Sequence, residues 1–179
     1  MIDQLKKKGG REQLLMFVTG LAGCRKSTAI MVAQQFCFES CNAASIMWSN
    51  NTFHFTAYTG SAAAAFGGLT TSKATYLAKD NISDNDRKLI KGVCILIIDE
   101  VSFLTDSELM KLDQNLKKIG DSYKVFGGYT IMFSGDFQHL DQVGIKEWKK
   151  YGTPLHQGSS RVISTVQSSC VLCIILKTI

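Results

Sequence analysis

The first residues with a chemical signature in this 179-residue chain form a glycine-rich segment that ends in a lysine and two hydroxyl residues, Gly20-Leu-Ala-Gly-Cys-Arg-Lys-Ser-Thr28. A loop that binds a triphosphate needs glycines so that backbone N–H groups can surround the phosphates. It also needs a lysine that reaches the outer phosphates and a hydroxyl that binds Mg²⁺. Gly20, Gly23, Lys26 and Ser27 fit these needs. The segment therefore predicts a phosphate-binding loop that opens a helix, whose N-terminal end favours the same ligand.

One position of this loop departs from the G-x-x-x-x-G-K-S/T pattern. The second glycine of the pattern is Arg25 here. Backbone and phosphate approach closely at that point, and only glycine has no side chain to obstruct them. A guanidinium would bring positive charge to a phosphate, but we expect Arg25 mainly to crowd the loop. A glycine-rich turn that binds no ligand therefore remains open as the alternative.

Two adjacent carboxylates, Asp99 and Glu100, follow the apolar run Ile95–Ile98, which is typical of a buried strand. An apolar strand that ends in charged residues is common and carries little information by itself. In a chain that also has a phosphate-binding loop, the first carboxylate is expected to hold Mg²⁺ and the second to orient or deprotonate the attacking water. The two motifs together predict a nucleotide hydrolysis site.

Strand and helix patterns alternate along the chain. Apolar, β-rich runs predict four strands, at Leu14–Thr19, Phe53–Thr59, Val93–Ile98 and Tyr129–Ser134. Helical patterns lie between them, at Ser27–Phe38, at Ser83–Lys91 and after the capping box Thr105-Asp-Ser-Glu108. The last helix carries an apolar stripe of Leu109, Leu112, Leu116 and Ile119. This alternation predicts an α/β domain with a mostly parallel sheet.

Composition excludes several classes of protein. Hydrophobic residues make up 45% of the chain and charged residues 20%, which argues against disorder and collagen-like repeats. The net charge of +5 permits a polyanionic partner. The start, MIDQLKKKGG, lacks the apolar stretch of a secretory signal, and Val171–Leu176 is too short to cross a bilayer. Six cysteines without regular spacing fit a reducing compartment, so we expect an intracellular protein with no membrane partner.

Four segments in order carry a resemblance to a known family: GLAGCRKST, FTAYTGSAAAAFGGLTTSKA, ILIIDEVSFL and FGGYTIMFSGDFQHLDQV. They resemble the Walker A loop, motif Ia, Walker B and motif III of the Pif-one/RecD-like DNA helicases of superfamily I. The similarity covers about residues 14–143. It implies a RecA-like P-loop NTPase domain, with helices on both faces of a mostly parallel sheet, that uses ATP and Mg²⁺ and binds one strand of DNA.

The resemblance also implies roles for individual residues. The nucleotide would be contacted by Gly20, Ala22, Gly23, Cys24, Arg25, Lys26, Ser27, Thr28 and His139. Lys26, Asp99 and Glu100 would be catalytic, Ser27 and Asp99 would hold Mg²⁺, and Glu100 would activate water. The turn Gly135-Asp-Phe137 would couple the nucleotide to DNA. Family members usually have a glutamine at the position of His139 that senses the γ-phosphate, so the chain departs from the pattern there.

For DNA, the resemblance implies contacts from the segment after the second predicted strand. Small side chains, amides and hydroxyls suit a single-stranded sugar–phosphate backbone that is gripped without regard to sequence. The predicted contacts are Thr59, Gly60, Ser61, Thr70 and Ser72. The residues alone allow another interpretation, in which Ala62–Ala65 simply begins a helix. The aromatic residues of this region are expected in the core: Phe53, Phe55 and Tyr58.

The domain organisation is expected to be uneven. Residues 1–145 predict a RecA-like ATPase domain that resembles the first motor domain of the helicases, and residues 146–179 predict a divergent tail. Within this tail, Val171–Leu176 is either a fifth strand or sequence outside the domain. Helicases of this kind place ATP between two such domains, and the second domain supplies an arginine finger. We therefore expect a motor-domain fragment that does not unwind duplex DNA by itself, with a protein partner as one source of the second domain.

Three hypotheses for the function follow. The first is an ATP-binding and hydrolysing fragment of a 5′–3′ DNA helicase that acts on single-stranded DNA in replication, recombination, repair or telomere maintenance, in the nucleus or mitochondrion, and that Arg25 impairs. The second is a degenerate P-loop domain that binds DNA or protein without hydrolysis. The third, a nucleotide kinase, is disfavoured by the segments that resemble motifs Ia and III.

Overall fold

The computed structural model of the protein describes residues 13–20, 23–48, 52–79 and 81–136, together with the backbone of two later strands, Ser164–Ser168 and Val171–Lys177. Of the residues predicted from sequence to contact the nucleotide, Ala22 and His139 lie outside the described residues. No helix in the described ranges has the length and apolar character that crossing a membrane requires.

The described strands form one sheet. In chain order they are β1 Leu14–Thr19, β2 Phe53–Ala57, β3 Leu69–Thr70, β4 Ile95–Asp99, β5 Thr130–Gly135, β6 Ser164–Ser168 and β7 Val171–Lys177. Their order across the sheet is β3-β2-β4-β5-β1-β7-β6. The first five pair in parallel, whereas β7 pairs antiparallel with both β1 and β6. The predicted α/β domain with a mostly parallel sheet is confirmed.

Helices connect the parallel strands. They are α1 Lys26–Ala43, α2 Gly60–Ala65, α3 Thr71–Ala74, α4 Asp84–Lys91 and α5 Asp106–Ile119. Two single 3-10 turns, Val101–Phe103 and Val125–Gly128, lie after β4 and before β5. Helix α1 continues five residues beyond the predicted end at Phe38, because Cys37 and Cys41 share one face and both are buried.

Two of the helices begin where their capping residues predict. Ser83 caps α4 and Thr105 caps α5, and each forms a reciprocal capping box with the residue three positions later, Asp86 and Glu108 respectively. The predicted apolar stripe of α5 is buried along its length, at Leu109, Leu112, Leu116 and Ile119. The starts of these two helices are thus specified by residues within a few positions of each other in the sequence.

Strand β4 divides the core into two layers. Its side chains alternate between the faces of the sheet, so Ile95 and Ile97 pack with α1 on one face, while Leu96 and Ile98 pack with α5 on the other. All four side chains are buried. This confirms that helices cover both faces of the sheet and explains why the β4 sequence is continuously apolar.

Several strand boundaries differ from the sequence prediction. Strand β4 begins at Ile95 rather than Val93 and ends at Asp99, and β5 is shifted by one residue to Thr130–Gly135. Strand β2 ends at Ala57 and not at Thr59, because Thr59 leaves the strand to cap α2, where its side chain accepts a hydrogen bond from the Ala62 amide. Strand β3, with two residues, is too short for a periodic pattern to indicate. On the other side of the sheet, the backbone of Val171–Lys177 forms a strand between β1 and β6, which agrees with the strand interpretation of this run.

Candidate functional site

The carboxyl ends of the parallel strands β1, β4 and β5 meet at one edge of the sheet and bring the two predicted motifs together. A cavity of about 480 Å³ opens there. It is lined by Lys26, Ser27, Ala62, Phe66, Asp99, Glu100, Ser102, Phe103, Gly135 and Asp136. Ligands of open α/β sheets bind at this edge, beyond the carboxyl ends of the strands. The cavity is therefore the candidate functional site.

Two contacts tie the glycine-rich loop to the acidic pair. The Ser27 hydroxyl donates a hydrogen bond to Asp99 Oδ2 at 2.8 Å, across 72 residues of sequence. The Lys26 ammonium donates to the Gly20 carbonyl oxygen at 2.7 Å, so the Lys26 side chain folds back along the loop. Asp99 itself is buried. A hydroxyl and a carboxylate oxygen in contact are ligands that Mg²⁺ accepts, and an ammonium beside them suits phosphates. The donor set fits Mg²⁺ and a nucleotide.

Glu100 is held in place by its neighbours. Its backbone adopts a left-handed conformation, with φ 57° and ψ 33°, and its amide donates to Asp99 Oδ1 at 2.9 Å. Its carboxylate oxygen Oε2 accepts two hydrogen bonds from Thr59, one from the hydroxyl at 2.6 Å and one from the amide at 3.0 Å. A left-handed conformation at a non-glycine residue costs about 1–3 kcal/mol and persists only where the surrounding structure holds it.

Arg25 also adopts a left-handed conformation, with φ 61° and ψ 32°, at the residue that precedes α1. This is the conformation that glycine adopts without strain. The Arg25 side chain is exposed and is not among the residues that line the cavity. In this structure Arg25 therefore affects the loop by straining its backbone and not by filling the cavity with its side chain.

An Arg25→Gly substitution is expected to stabilise the protein by about 1 kcal/mol, because it relieves the left-handed strain while adding some freedom to the unfolded chain. The free energy of unfolding from urea denaturation measures this change. Ser45 provides a matched control, since it is exposed, lies outside the cavity and has φ 52°. Ser45→Gly should give a similar gain in stability. Only Arg25→Gly should also tighten nucleotide binding, and equal nucleotide affinities of the two variants and the parent would contradict this account.

The other described residues predicted to contact the nucleotide lie in the loop and in the first turn of α1. Gly23 is exposed and has φ 78°, which favours glycine, while Cys24 is half-buried and Thr28 is exposed on the first turn of α1. Gly135 and Asp136 line the cavity. A Cβ atom at Gly135 would approach Val101 Cγ1 to 3.0 Å, so a small residue lets β5 pack against the 3-10 turn after β4. Phe137 lies outside the described residues.

The predicted DNA residues fall into two groups. Thr59, Gly60 and Ser61 lie at the start of α2, beside the candidate site, and Gly60 and Ser61 are exposed. Thr70 and Ser72 instead line a separate cavity of about 720 Å³. Because the Thr59 hydroxyl donates to Glu100, a phosphate could take that hydrogen only by displacing the carboxylate.

Tyr58 corrects one prediction from sequence. Phe53 and Phe55 are buried as expected, but Tyr58 follows the end of β2, is 38% exposed and stacks on Phe103, which is 60% exposed, with ring centroids 5.9 Å apart. Phe103 belongs to the 3-10 turn after β4, and the same turn brings Ser102 to the cavity. No periodic signal distinguishes these residues, since they lie in single turns between regular elements.

The fold and the site together define a RecA-like P-loop NTPase domain. The chain belongs to the PIF1-like helicase family, whose sequence model matches residues 2–152. It is 34% identical over 100 residues to the ATP-dependent DNA helicase Pif1 of Psychrobacter sp. (strain PRwf-1), covering 50% of this chain and 15% of that protein. It is 29% identical over 146 residues to the ATP-dependent DNA helicase RRM3 of Saccharomyces cerevisiae, covering 74% of this chain and 19% of that protein.

Solved structures agree with this assignment. The match to unliganded Pif1 from Bacteroides sp. covers 82% of this chain and 33% of that protein, with 25% identity and a TM-score of 0.56. Bacteroides Pif1 bound to ssDNA matches 88% of the chain and 35% of its own length, with 21% identity and a TM-score of 0.57, which supports the fold alone. The chain thus spans less than a fifth of these curated relatives and about a third of these solved structures.

Proposed function

We propose that this chain is the ATP-binding and ATP-hydrolysing motor-domain part of a PIF1-like 5′–3′ DNA helicase that acts on single-stranded DNA. The observation that carries the proposal is the 2.8 Å contact between Ser27 and Asp99, which joins the phosphate-binding loop to the acidic strand end beside Lys26 and Glu100. A turn that binds no ligand has no need of this tertiary contact or of an open cavity around it.

Each residue has a role in the proposed reaction. Mg²⁺ bound with ATP supplies positive charge that stabilises the transferred phosphoryl group. Ser27 and Asp99 would hold that ion through their oxygens, and Lys26 would neutralise charge on the outer phosphates. Glu100 orients the attacking water and accepts its proton, because its carboxylate lies next to the same cavity. Further positive charge in the transition state would come from an arginine of a second motor domain, which a protein partner is one candidate to supply.

The DNA part of the proposal rests on the exposed start of α2. Gly60 and Ser61 present a bare backbone and a hydroxyl, which suit a phosphate backbone and carry no base readout. The curated relatives that the chain matches, from Psychrobacter sp. and Saccharomyces cerevisiae, are ATP-dependent DNA helicases. By the same family relationship we propose a role in replication, recombination, repair or telomere maintenance, in the nucleus or mitochondrion.

A second candidate function is favoured by one observation. Arg25 stands in a left-handed position of the phosphate-binding loop where the pattern has glycine, and the lack of that glycine fits a P-loop domain that binds DNA or protein without hydrolysing ATP. Measurable Mg²⁺-dependent ATP hydrolysis that rises with single-stranded DNA distinguishes the motor domain from this degenerate module.

Binding of single-stranded DNA tests the interface directly. Fluorescence anisotropy with labelled oligothymidylate and a mixed-sequence oligonucleotide should give equal affinities that weaken with salt. The logarithm of the binding constant should fall against the logarithm of the salt concentration with a slope of about −0.7 for each phosphate contact. Ser61→Asp should weaken binding about tenfold, because it places a negative charge against the phosphates.

Ser107→Asp is the matched control. Ser107 is exposed, and like Ser61 it lies two residues after a threonine that caps a helix, but it is not predicted to contact DNA. Its substitution should change affinity less than about twofold. Equal losses from the two substitutions, or affinity that does not depend on salt, would refute the assigned interface.

A further inference from the structure

We propose that Thr59 is a positioning residue for ATP hydrolysis, which holds the Glu100 carboxylate in the orientation that the attacking water requires. The inference rests on the proposed function and deepens it. Sequence resemblance assigned Thr59 to DNA, but in the structure both polar hydrogens of this residue go to Glu100 Oε2, from the hydroxyl at 2.6 Å and from the amide at 3.0 Å.

The sheet brings the two residues together. Strands β2 and β4 are parallel neighbours, and Ala57 pairs with Asp99 at their last positions. The Tyr58 amide then donates to the Asp99 carbonyl oxygen at 3.2 Å, which continues the pairing one residue further. Thr59 and Glu100 are therefore placed side by side beyond the strand ends by the register of the central sheet.

The two hydrogen bonds restrict what Glu100 can do. Oε2 accepts both of them, while no hydrogen bond to Oε1 occurs within the ranges that the structure describes. The Glu100 amide also donates to Asp99 Oδ1 at 2.9 Å, which fixes the backbone from which the side chain extends. Oε1 remains as the oxygen that accepts a hydrogen bond from water, so Thr59 selects which carboxylate oxygen acts in the reaction.

A second threonine shows that this arrangement is specific to the site. Thr105 caps α5 and donates its hydroxyl and its amide, both at 2.8 Å, to Glu108, three residues later in the same helix. Thr59 caps α2 in the same way, but its carboxylate partner is 41 residues away, at the end of β4. The same chemical contact is thus a local capping box in one place and a link between two strands in the other.

The affinity for a transition-state analogue tests the role without requiring turnover. Isothermal titration calorimetry should compare ADP with ADP–aluminium fluoride, both with Mg²⁺, for the full chain and its variants. Thr59→Val should lose about tenfold in affinity for ADP–aluminium fluoride and keep its affinity for ADP, because the lost hydrogen bond positions a group that acts only in the transition state. Thr59→Ser should behave as the parent, and so should Thr105→Val, which removes the matched hydroxyl from α5.

A double-mutant cycle assigns the effect to Glu100. In a Glu100→Ala background, Thr59→Val should change the affinity for ADP–aluminium fluoride less than about twofold. Equal losses for ADP and ADP–aluminium fluoride, a full tenfold loss that persists without Glu100, or a parent chain that binds the two ligands equally would each overturn the positioning role. Absence of any ADP binding by the folded parent would instead overturn the proposed function and the role with it.

Discussion

A Glu100→Gln variant is expected to hydrolyse ATP about 10²–10⁴-fold more slowly than the parent chain, while its affinity for Mg²⁺-ATP stays within about twofold. The substitution keeps the size of the side chain and an oxygen that accepts hydrogen bonds from Thr59, but removes the negative charge that orients water and accepts its proton. The rate of phosphate release in the presence of oligothymidylate measures the loss, and calorimetric titration measures the affinity.

Glu108→Gln is the control for this variant. Glu108 accepts hydrogen bonds from the amide and hydroxyl of a capping threonine, as Glu100 does, but it is a partner in the capping box of α5 and does not line the cavity. Its substitution should leave the hydrolysis rate within about twofold of the parent rate. A Glu100→Gln variant that hydrolyses ATP at the parent rate would remove Glu100 from the catalytic residues.

A Lys26→Ala variant is expected to bind Mg²⁺-ATP about 10–100-fold more weakly, since hydrogen bonds to a charged group contribute about 1.5–3 kcal/mol. The Lys26 ammonium donates a hydrogen bond to the Gly20 carbonyl oxygen at the start of the loop. Lys26 and Ser27 both line the cavity. Truncation removes the positive charge that the outer phosphates need, while the largely apolar core of the sheet remains intact. Titration calorimetry with a nonhydrolysable ATP analogue measures the change.

Lys124→Ala serves as the comparison, because Lys124 is an exposed lysine whose ion pair, with Asp121 at 3.9 Å, lies in the turn before β5. It carries the same charge change without a place in the cavity. Its nucleotide affinity should equal that of the parent. Parallel losses in the two variants would indicate a general effect of net charge and contradict a specific role for Lys26.

The central strands and the capped helices could be predicted from the sequence because the signals that specify them are local. Leu14–Thr19 is a strand over the predicted range, since it is a continuous apolar run before a glycine. Ser83 and Thr105 fix the starts of two helices through side-chain contacts only three residues long. The motif residues Ser27 and Asp99 also meet as their types predict, because parallel strands present their carboxyl ends at one edge.

What the sequence could not predict depends on tertiary context. The left-handed backbone at Arg25 and Glu100 is imposed by the turns in which they lie, and neither residue type indicates it. The contact between Thr59 and Glu100 requires the register of β2 against β4, which no pattern within either strand specifies. Tyr58 was expected in the core with Phe53 and Phe55, but it lies three residues after Phe55, out of the two-residue alternation, and the strand ends before it.

The central claim is that the cavity between the β1–α1 loop and the end of β4 binds Mg²⁺-ATP. Titration calorimetry of the parent chain with a nonhydrolysable ATP analogue, with Mg²⁺ and then with EDTA, tests it most directly. We expect one saturable site per chain whose affinity falls about tenfold or more when Mg²⁺ is removed. A chain that is folded by circular dichroism and shows no saturable binding in Mg²⁺ would contradict the claim.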